Sequence, residues 1–368
     1  MVARRTSGHV SVHHVPNTVL TDHEVDAFPE ADVQDSPRTL GTRSSTPDAV
    51  FRTVIYGAGI VVLTIMLLVG VFLTFRAADA LGVAGWSFLT TSAWNPDGGN
   101  FGIAAVLVGT VMIGLTAILL ALPLALGTAL YISEYAPAKL KRTLINLVDL
   151  MAAVPSVVYG LWGLFLLQPQ LLVSGVSGDG IPRFLATYFG WIPIFRVRLD
   201  GEPVDAGSPL TPGSVYASST FIAGIVVALM VAPIACSIMR ESFSQAPLGE
   251  REGAYALGST RWGMIRTVVL PFGTGGIIGG TMLGLGRALG ETIAVFMVIS
   301  VVFAVQTRVL ESGTSSVSSL IALKYGEGST FAISALMAAG LALFVMTLIV
   351  NFIASGFIAR SRSGAVSE

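Results

Sequence analysis

A single cysteine, Cys236, stands in 368 residues. One thiol closes no intrachain disulfide and builds no zinc cluster. In its apolar run Cys236 reads as a small buried hydrophobe. Charge is scarce as well. Asp, Glu, Lys and Arg make up 12% of the chain, about half the roughly 25% of a soluble domain. That is too little to cover a soluble surface, which excludes an ordinary cytoplasmic enzyme. The 53% of hydrophobic residues excludes a disordered chain. A formal charge of −1 excludes a generally basic nucleic-acid binder.

Histidine is missing from every apolar segment. His9, His13, His14 and His23 all lie in the polar amino-terminal stretch. A metal held by them would have to order that stretch, so no metal site is expected. The match Gly175-Val176-Ser177-Gly178 to a membrane serine-protease pattern therefore has no histidine base within reach. Asp149 and Glu291 are the acidic residues inside apolar segments, and Asp149 lies near a segment end, so a carboxylate dyad is not expected either. No His-Glu-x-x-His run occurs. Lys139, Lys141 and Lys324 follow Ala, Leu and Leu, so there is no Gly-Lys-Ser/Thr phosphate loop. Gly284 to Gly290 is one residue off the dinucleotide pattern, and its apolar setting speaks for close helix packing.

What is present is apolar sequence in long runs. Six segments, at 53–75, 103–133, 144–168, 217–239, 272–305 and 331–357, each reach the ~20 residues that span ~30 Å of hydrocarbon. They predict an all-α polytopic membrane protein with six transmembrane helices. Pro123 and Pro155 fall inside them, where neighbouring helices can satisfy the freed backbone groups. Residues 1–50 are expected to be a disordered tail with no secretory leader, 51–360 the membrane domain, and 361–368 a short second tail. With the amino terminus inside, inner segments carry fourteen Lys and Arg against six outside, which predicts both termini in the cytoplasm. Two outer loops stand out. Residues 76–101 hold Trp86, Trp94 and a turn-rich Asn95–Gly99 run; residues 169–216 hold an aromatic stretch from Phe184 to Phe195. A long loop either docks a partner or passively covers helix ends.

Two stretches carry charge in a telling pattern. In the inner loop 250–271, Ala254, Leu257, Gly258 and Arg261 fall at i, i+3, i+4 and i+7, one face of a helix. Such a face fits another protein's groove, or it belongs to a solvated connector. Further on, Arg287 and Glu291 stand at i, i+4 near the middle of an apolar segment. A charge at the bilayer centre costs ~2.5–3.5 kcal/mol. Either the two form a self-neutralising pair, in the weaker order for such a pair, or they serve an anion path. A guanidinium grips a tetrahedral oxyanion by two parallel hydrogen bonds. A carboxylate, which only accepts, favours hydrogen phosphate over sulfate. Gly276, Gly280 and Gly284 form a stripe for close approach of a helix, from this chain or a second one.

The 250–271 loop resembles the coupling loop of bacterial ATP-binding-cassette importers. Glu252, Ala254, Gly258, Leu270 and Pro271 match that pattern at its spacing; Gly253 replaces an Ala and Val268 an Ile. Ala153 to Gly163 together with Gly286 to Thr292 resemble the phosphate-specific permease of the PstC type, over about residues 51 to 360. The resemblance implies a type I ABC importer permease fold in a bacterial inner membrane. It implies passage of inorganic phosphate by Arg287 and Glu291, and is carried onto these two alone. Thr292, Ser156 and Tyr159 are further candidates for their hydroxyls; for the last two, helix packing is at least an equal reading. It implies docking of an ATPase by Glu252, Gly253, Ala254, Leu257, Gly258, Arg261, Leu270 and Pro271. The implied partners are a second homologous permease, a cytoplasmic ATPase dimer that holds ATP and Mg, and an extracytoplasmic phosphate-binding protein. No cofactor is expected in this chain. A permease for sulfate or molybdate, a non-transporting phosphate sensor and an intramembrane hydrolase are the alternatives.

Overall fold

A computed structural model describes residues 46–172, 180–199, 202–208 and 211–362. The four histidines, the tail up to residue 45, the Gly175–Gly178 motif and residues 363–368 lie outside the described residues. The described residues divide into two units, the first ending at Gly59 and the second opening at Ile60. The described part of the first is the exposed opening of α1 (Thr46–Ala84). This helix starts before the expected boundary because Pro47 and Asp48 suit a first helical turn. It also runs past the expected end at residue 75.

In the second unit α2 (Ser87–Thr90) leads to a hairpin of β1 (Trp94–Asn95) and β2 (Asn100–Phe101). α3 (Ala104–Leu130) continues as a π-helical turn to Tyr135. α4 (Ala138–Ala153) and α5 (Ser156–Trp162) follow, the latter prolonged as π-helix to Leu172. Then come α6 (Ile181–Phe189) and a small hairpin of β3 (Arg198–Leu199) and β4 (Glu202–Pro203). The long α7 (Thr220–Ser244) is followed by α8 (Leu248–Ala256), α9 (Arg261–Met264) and α10 (Leu270–Phe272). α11 (Thr274–Gly290), α12 (Ile293–Val298), α13 (Val317–Lys324) and α14 (Thr330–Arg362) complete the unit.

Among the described residues four helices are long and apolar enough to cross a membrane, and up to six spans result if each of two bent pairs counts once. The first bent pair lies in the 144–168 segment, at the proline inside it: α4 and α5 meet at 89°. Pro155 has no N–H to donate and forces Val154 into extended backbone, ψ 129°. The second pair bends by 64° between Phe272 and Thr274. There Gly273 lies against the Phe243 ring, where a Cβ has no room. The expected 272–305 span is also broken. α11 ends at Gly290, α12 is one short piece, and residues 299–316 form no regular helix. Each π-helical turn contains a proline (Pro169) or ends two residues before one (Pro137, Pro271), which withdraws a backbone donor from the ladder.

α3, α7 and α11 form the centre. Ala117, Ala121, Ala125 and Ala129 repeat every four residues along α3 and are buried, so backbones approach closely. Gly224 of α7 faces Thr116, and a Cβ there would lie 2.6 Å from its methyl. The glycine stripe on α11 finds its partner inside this chain. Gly276 meets Ser242, Gly280 the Ala235 carbonyl and Gly284 Val231, all on α7. At one end, Trp94 stacks on Phe303 at 6.1 Å, and Phe101 packs edge-on to Phe88 and Phe331. The described part of the 169–216 loop folds back on the protein. The Val309 N–H donates to the Ile194 carbonyl (3.0 Å) and the Ser312 N–H to the Val215 carbonyl (2.8 Å). Buried Arg183 donates to the carbonyls of Ala206 and Ser208. Tyr216 is enclosed there, and burial pushes its phenol above the ordinary range. Phe184, Tyr188 and Trp191 stay exposed.

Candidate functional site

Arg287 occupies the last turn of α11, three residues before the helix stops, rather than mid-helix. The negative end of the helix macrodipole favours a cation there by ~0.3–1 kcal/mol. Its side chain is exposed and lines an open-sided groove of about 720 Å³. α7 contributes Ile234 to that groove; α11 adds Gly286 and Gly290, and α14 adds Phe344, Thr347 and Asn351. Among the described residues Arg287 makes no ion pair, so its donors face the groove.

Glu291 does not share a helical face with Arg287. Its backbone is extended (φ −66°, ψ 126°), which turns the side chain off α11. The carboxylate Oε1 instead accepts the Ala294 N–H at 3.2 Å and caps α12. Ser318 donates its hydroxyl to the Glu291 carbonyl at 2.7 Å. The residue is buried and serves the helix break as a fastener. A broken helix needs such partners, because water is absent from the hydrocarbon. Thr292 is half-buried, with its hydroxyl donated to the Gly290 carbonyl at 3.3 Å.

Tyr159 and Ser156 stand just after the 89° bend. The Tyr159 hydroxyl donates to the Met151 carbonyl at 2.9 Å, tying α5 back across Pro155 to α4. Ser156 opens α5 and is half-buried. α5 lies tight on α12, with the Gly160 position only 3.0 Å from the Ala294 Cα for a would-be Cβ. Arg287, Tyr159 and the Glu291–Thr292 break therefore belong to one neighbourhood.

The 250–271 stretch is a separate surface. α8 ends at Ala256, not beyond Arg261, because Gly258 takes a left-handed φ of 80°. The Gly258 N–H returns to the Tyr255 carbonyl and the Ser259 N–H to the Ala254 carbonyl, a Schellman ending. Gly258 and Arg261 thus leave the face that carries Ala254. Thr260 caps α9 through the Gly263 N–H. Glu252, Gly253, Leu257, Gly258, Arg261 and Pro271 are exposed, and Ala254 and Leu270 half-buried. Leu257 is 91% exposed, in company with Leu248, Tyr255 and Trp262. Exposed apolar clusters of this kind often mark interaction sites.

Two arginines fasten this surface to the bundle. Arg251 pairs with Glu134 at 3.2 Å and donates to the Phe243 carbonyl at 2.5 Å. Arg261 lies over the Tyr135 ring, 5.3 Å from its centroid. Both acceptors sit on the π-helical turn that ends α3. Among the described residues no cluster of three or more His, Cys, Asp or Glu forms a metal cage.

Residues 121–363 match the family model described as binding-protein-dependent transport system inner membrane component. The chain belongs to that family. The match takes in both stretches above. This permease is 37% identical to the phosphate transport system permease protein PstC 2 of Mycobacterium bovis, over 83% of this chain and 89% of that one. It is 36% identical to the phosphate transport system permease protein PstC of Xylella fastidiosa, over 87% and 93%. Two solved structures share the fold at 16% identity. One is a bacterial alginate ABC transporter in complex with an alginate-bound periplasmic protein (TM-score 0.53, 85% of this chain and 96% of that one). The other is a bacterial ABC transporter for import of alginate (TM-score 0.50, 84% and 99%). The protein is thus a multi-pass inner-membrane permease.

Sequence reasoning missed Glu134 and Tyr135, because their partners lie far along the chain and no local pattern marks them. It missed Thr347 and Asn351 although a signal existed: they are polar residues in an otherwise apolar run.

Proposed function

We propose that this permease carries inorganic phosphate into the cell, as one half of a pathway closed by a second, homologous permease. The observation that carries the reading is Arg287: an exposed guanidinium without an ion pair, inside a membrane groove, in a chain related to two proteins named phosphate permeases. A charge in that setting faces water or a partner, not lipid. The open side of the groove suits a second subunit.

The chemistry follows from the residues. The guanidinium holds two phosphate oxygens through parallel charge-assisted hydrogen bonds. The α11 C-terminus stabilises the cation while the path is empty. Glu291 acts from behind: by capping α12 it fixes where α11 ends, and so where Arg287 stands. Ser156, Tyr159 and Thr292 belong to the adjoining helix breaks and do not line the groove. Both termini, with residues 1–50 and 361–368, lie in the cytoplasm, in keeping with the inner excess of Lys and Arg. α8, Leu257 and Arg261 then dock a cytoplasmic ATPase dimer, which holds ATP and Mg. Arg251 and Arg261 pass its closure to α3. An extracytoplasmic binding protein delivers phosphate to the opposite end.

The test is uptake of labelled phosphate in cells without their own high-affinity transporter, supplied with this chain and its neighbouring subunits. Sulfate-resistant uptake is expected. An assembled complex that hydrolyses ATP and takes up no phosphate overturns the reading in favour of another oxyanion or a sensor.

A further inference from the structure

Asn351 is the one amide in a long apolar stretch of α14, Met346-Thr347-Leu348-Ile349-Val350-Asn351-Phe352-Ile353. A polar side chain in such a run is costly against lipid. It is exposed on the chain's surface, and among the described residues its amide makes no hydrogen bond; only its carbonyl accepts, from Ser355. It lies on the wall of the Arg287 groove, opposite α11. The amide oxygen is 3.6 Å from where a Gly286 Cβ would stand, one residue before Arg287. Thr347, one turn earlier on α14, lines the same groove, with its hydroxyl turned back to the Phe344 carbonyl at 2.9 Å. The remaining lining is apolar or glycine.

We infer that Asn351 is the second anion-contacting residue of this groove, a neutral donor set beside the cation of Arg287. Its NH₂ group offers two hydrogen bonds to an oxyanion without adding charge. The combination suits transient binding: a second arginine would hold a divalent anion more strongly, and an apolar residue would leave its outer oxygens unsolvated. A Cβ at Gly286 would stand in ordinary contact with the amide, so the two helices face each other closely here. The inference rests on the groove being the aqueous path proposed above, though not on which oxyanion passes.

The experiment places a thiol at the position. Cys236 is buried, so in the assembled complex Asn351→Cys supplies an accessible sulfhydryl. It is treated with membrane-impermeant thiosulfonates, one anionic and one cationic. The anionic reagent is expected to react about tenfold faster, as a focused positive potential dictates, and Arg287→Ala to abolish that preference. An unlabelled thiol, or one whose reactivity ignores both reagent charge and Arg287, overturns the inference. Flux supplies the second arm. Asn351→Asp should lower labelled phosphate uptake by about tenfold or more while ATP hydrolysis and assembly stay near wild type, and Asn351→Gln should keep most of it. Wild-type flux in Asn351→Asp, with Arg287→Ala inactive, removes Asn351 from the path and leaves the phosphate reading intact. Should the wild type carry sulfate instead, the same series is read with labelled sulfate; the phosphate reading then fails and the role of Asn351 is still decided.

Discussion

Arg251 and Arg287 are the same residue in opposite situations. Arg251 is held by Glu134, whose side chain is only 4% exposed, and by a backbone carbonyl. Arg287 faces an open groove and is steadied by the end of its own helix. The first is a joint between a surface helix and the bundle. The second is the group we propose to bind the anion. An arginine is expensive in an apolar setting, and whether its donors are engaged or free separates the structural joint from that proposed binding group.

Substitutions sharpen that contrast. Arg251→Ala is expected to act most strongly, through stability. It leaves the Glu134 carboxylate buried and unpaired, at a cost of about 3 kcal/mol or more, readable as an earlier thermal transition of the purified complex. Replacing both partners by Gln should cost less, and an equal loss would mean that the pair does not act as a unit. Arg287→Ala should lower phosphate uptake by about a hundredfold, the worth of ~1.5–3 kcal/mol for hydrogen bonds to a charged group, with the thermal transition unmoved. Arg287→Lys should fall between, since it keeps the charge and loses the fork. Tyr159→Phe removes one hydrogen bond across the α4–α5 bend, worth about 1 kcal/mol, and should lower the transition by a few degrees without changing the anion preferred. Smallest is Glu291→Gln. The amide oxygen still caps Ala294, so uptake should stay within about twofold and sulfate should remain excluded. A gain of sulfate uptake would return to this carboxylate the discriminating role that its sequence position suggested.

The long apolar helices were legible because hydrocarbon thickness sets their length. Gly276, Gly280 and Gly284 announced close packing, and α7 proved to be what they pack against. The bend at Pro155 was legible from the proline; the interruption of the 272–305 run was not. A run such as 272–305 reads as one helix from hydropathy alone. Its break depends on Glu291 capping α12 and on Ser318, 27 residues away, holding the Glu291 carbonyl. Periodicity placed Arg287 and Glu291 on one face, which is true only if the helix continues. The same assumption put Arg261 on the face of Ala254 across Gly258, whose left-handed backbone ends α8. In both places a tertiary or glycine-dependent ending overrode the helical repeat.

The most direct measurement follows phosphate uptake and ATP hydrolysis together, in one set of vesicles holding the complete complex, for wild type, Arg287→Ala and Arg251→Ala. The account predicts that Arg287→Ala hydrolyses ATP without moving phosphate, whereas Arg251→Ala loses hydrolysis and uptake in step. Normal uptake in Arg287→Ala, or full hydrolysis without uptake in Arg251→Ala, would contradict the division of labour between the two arginines.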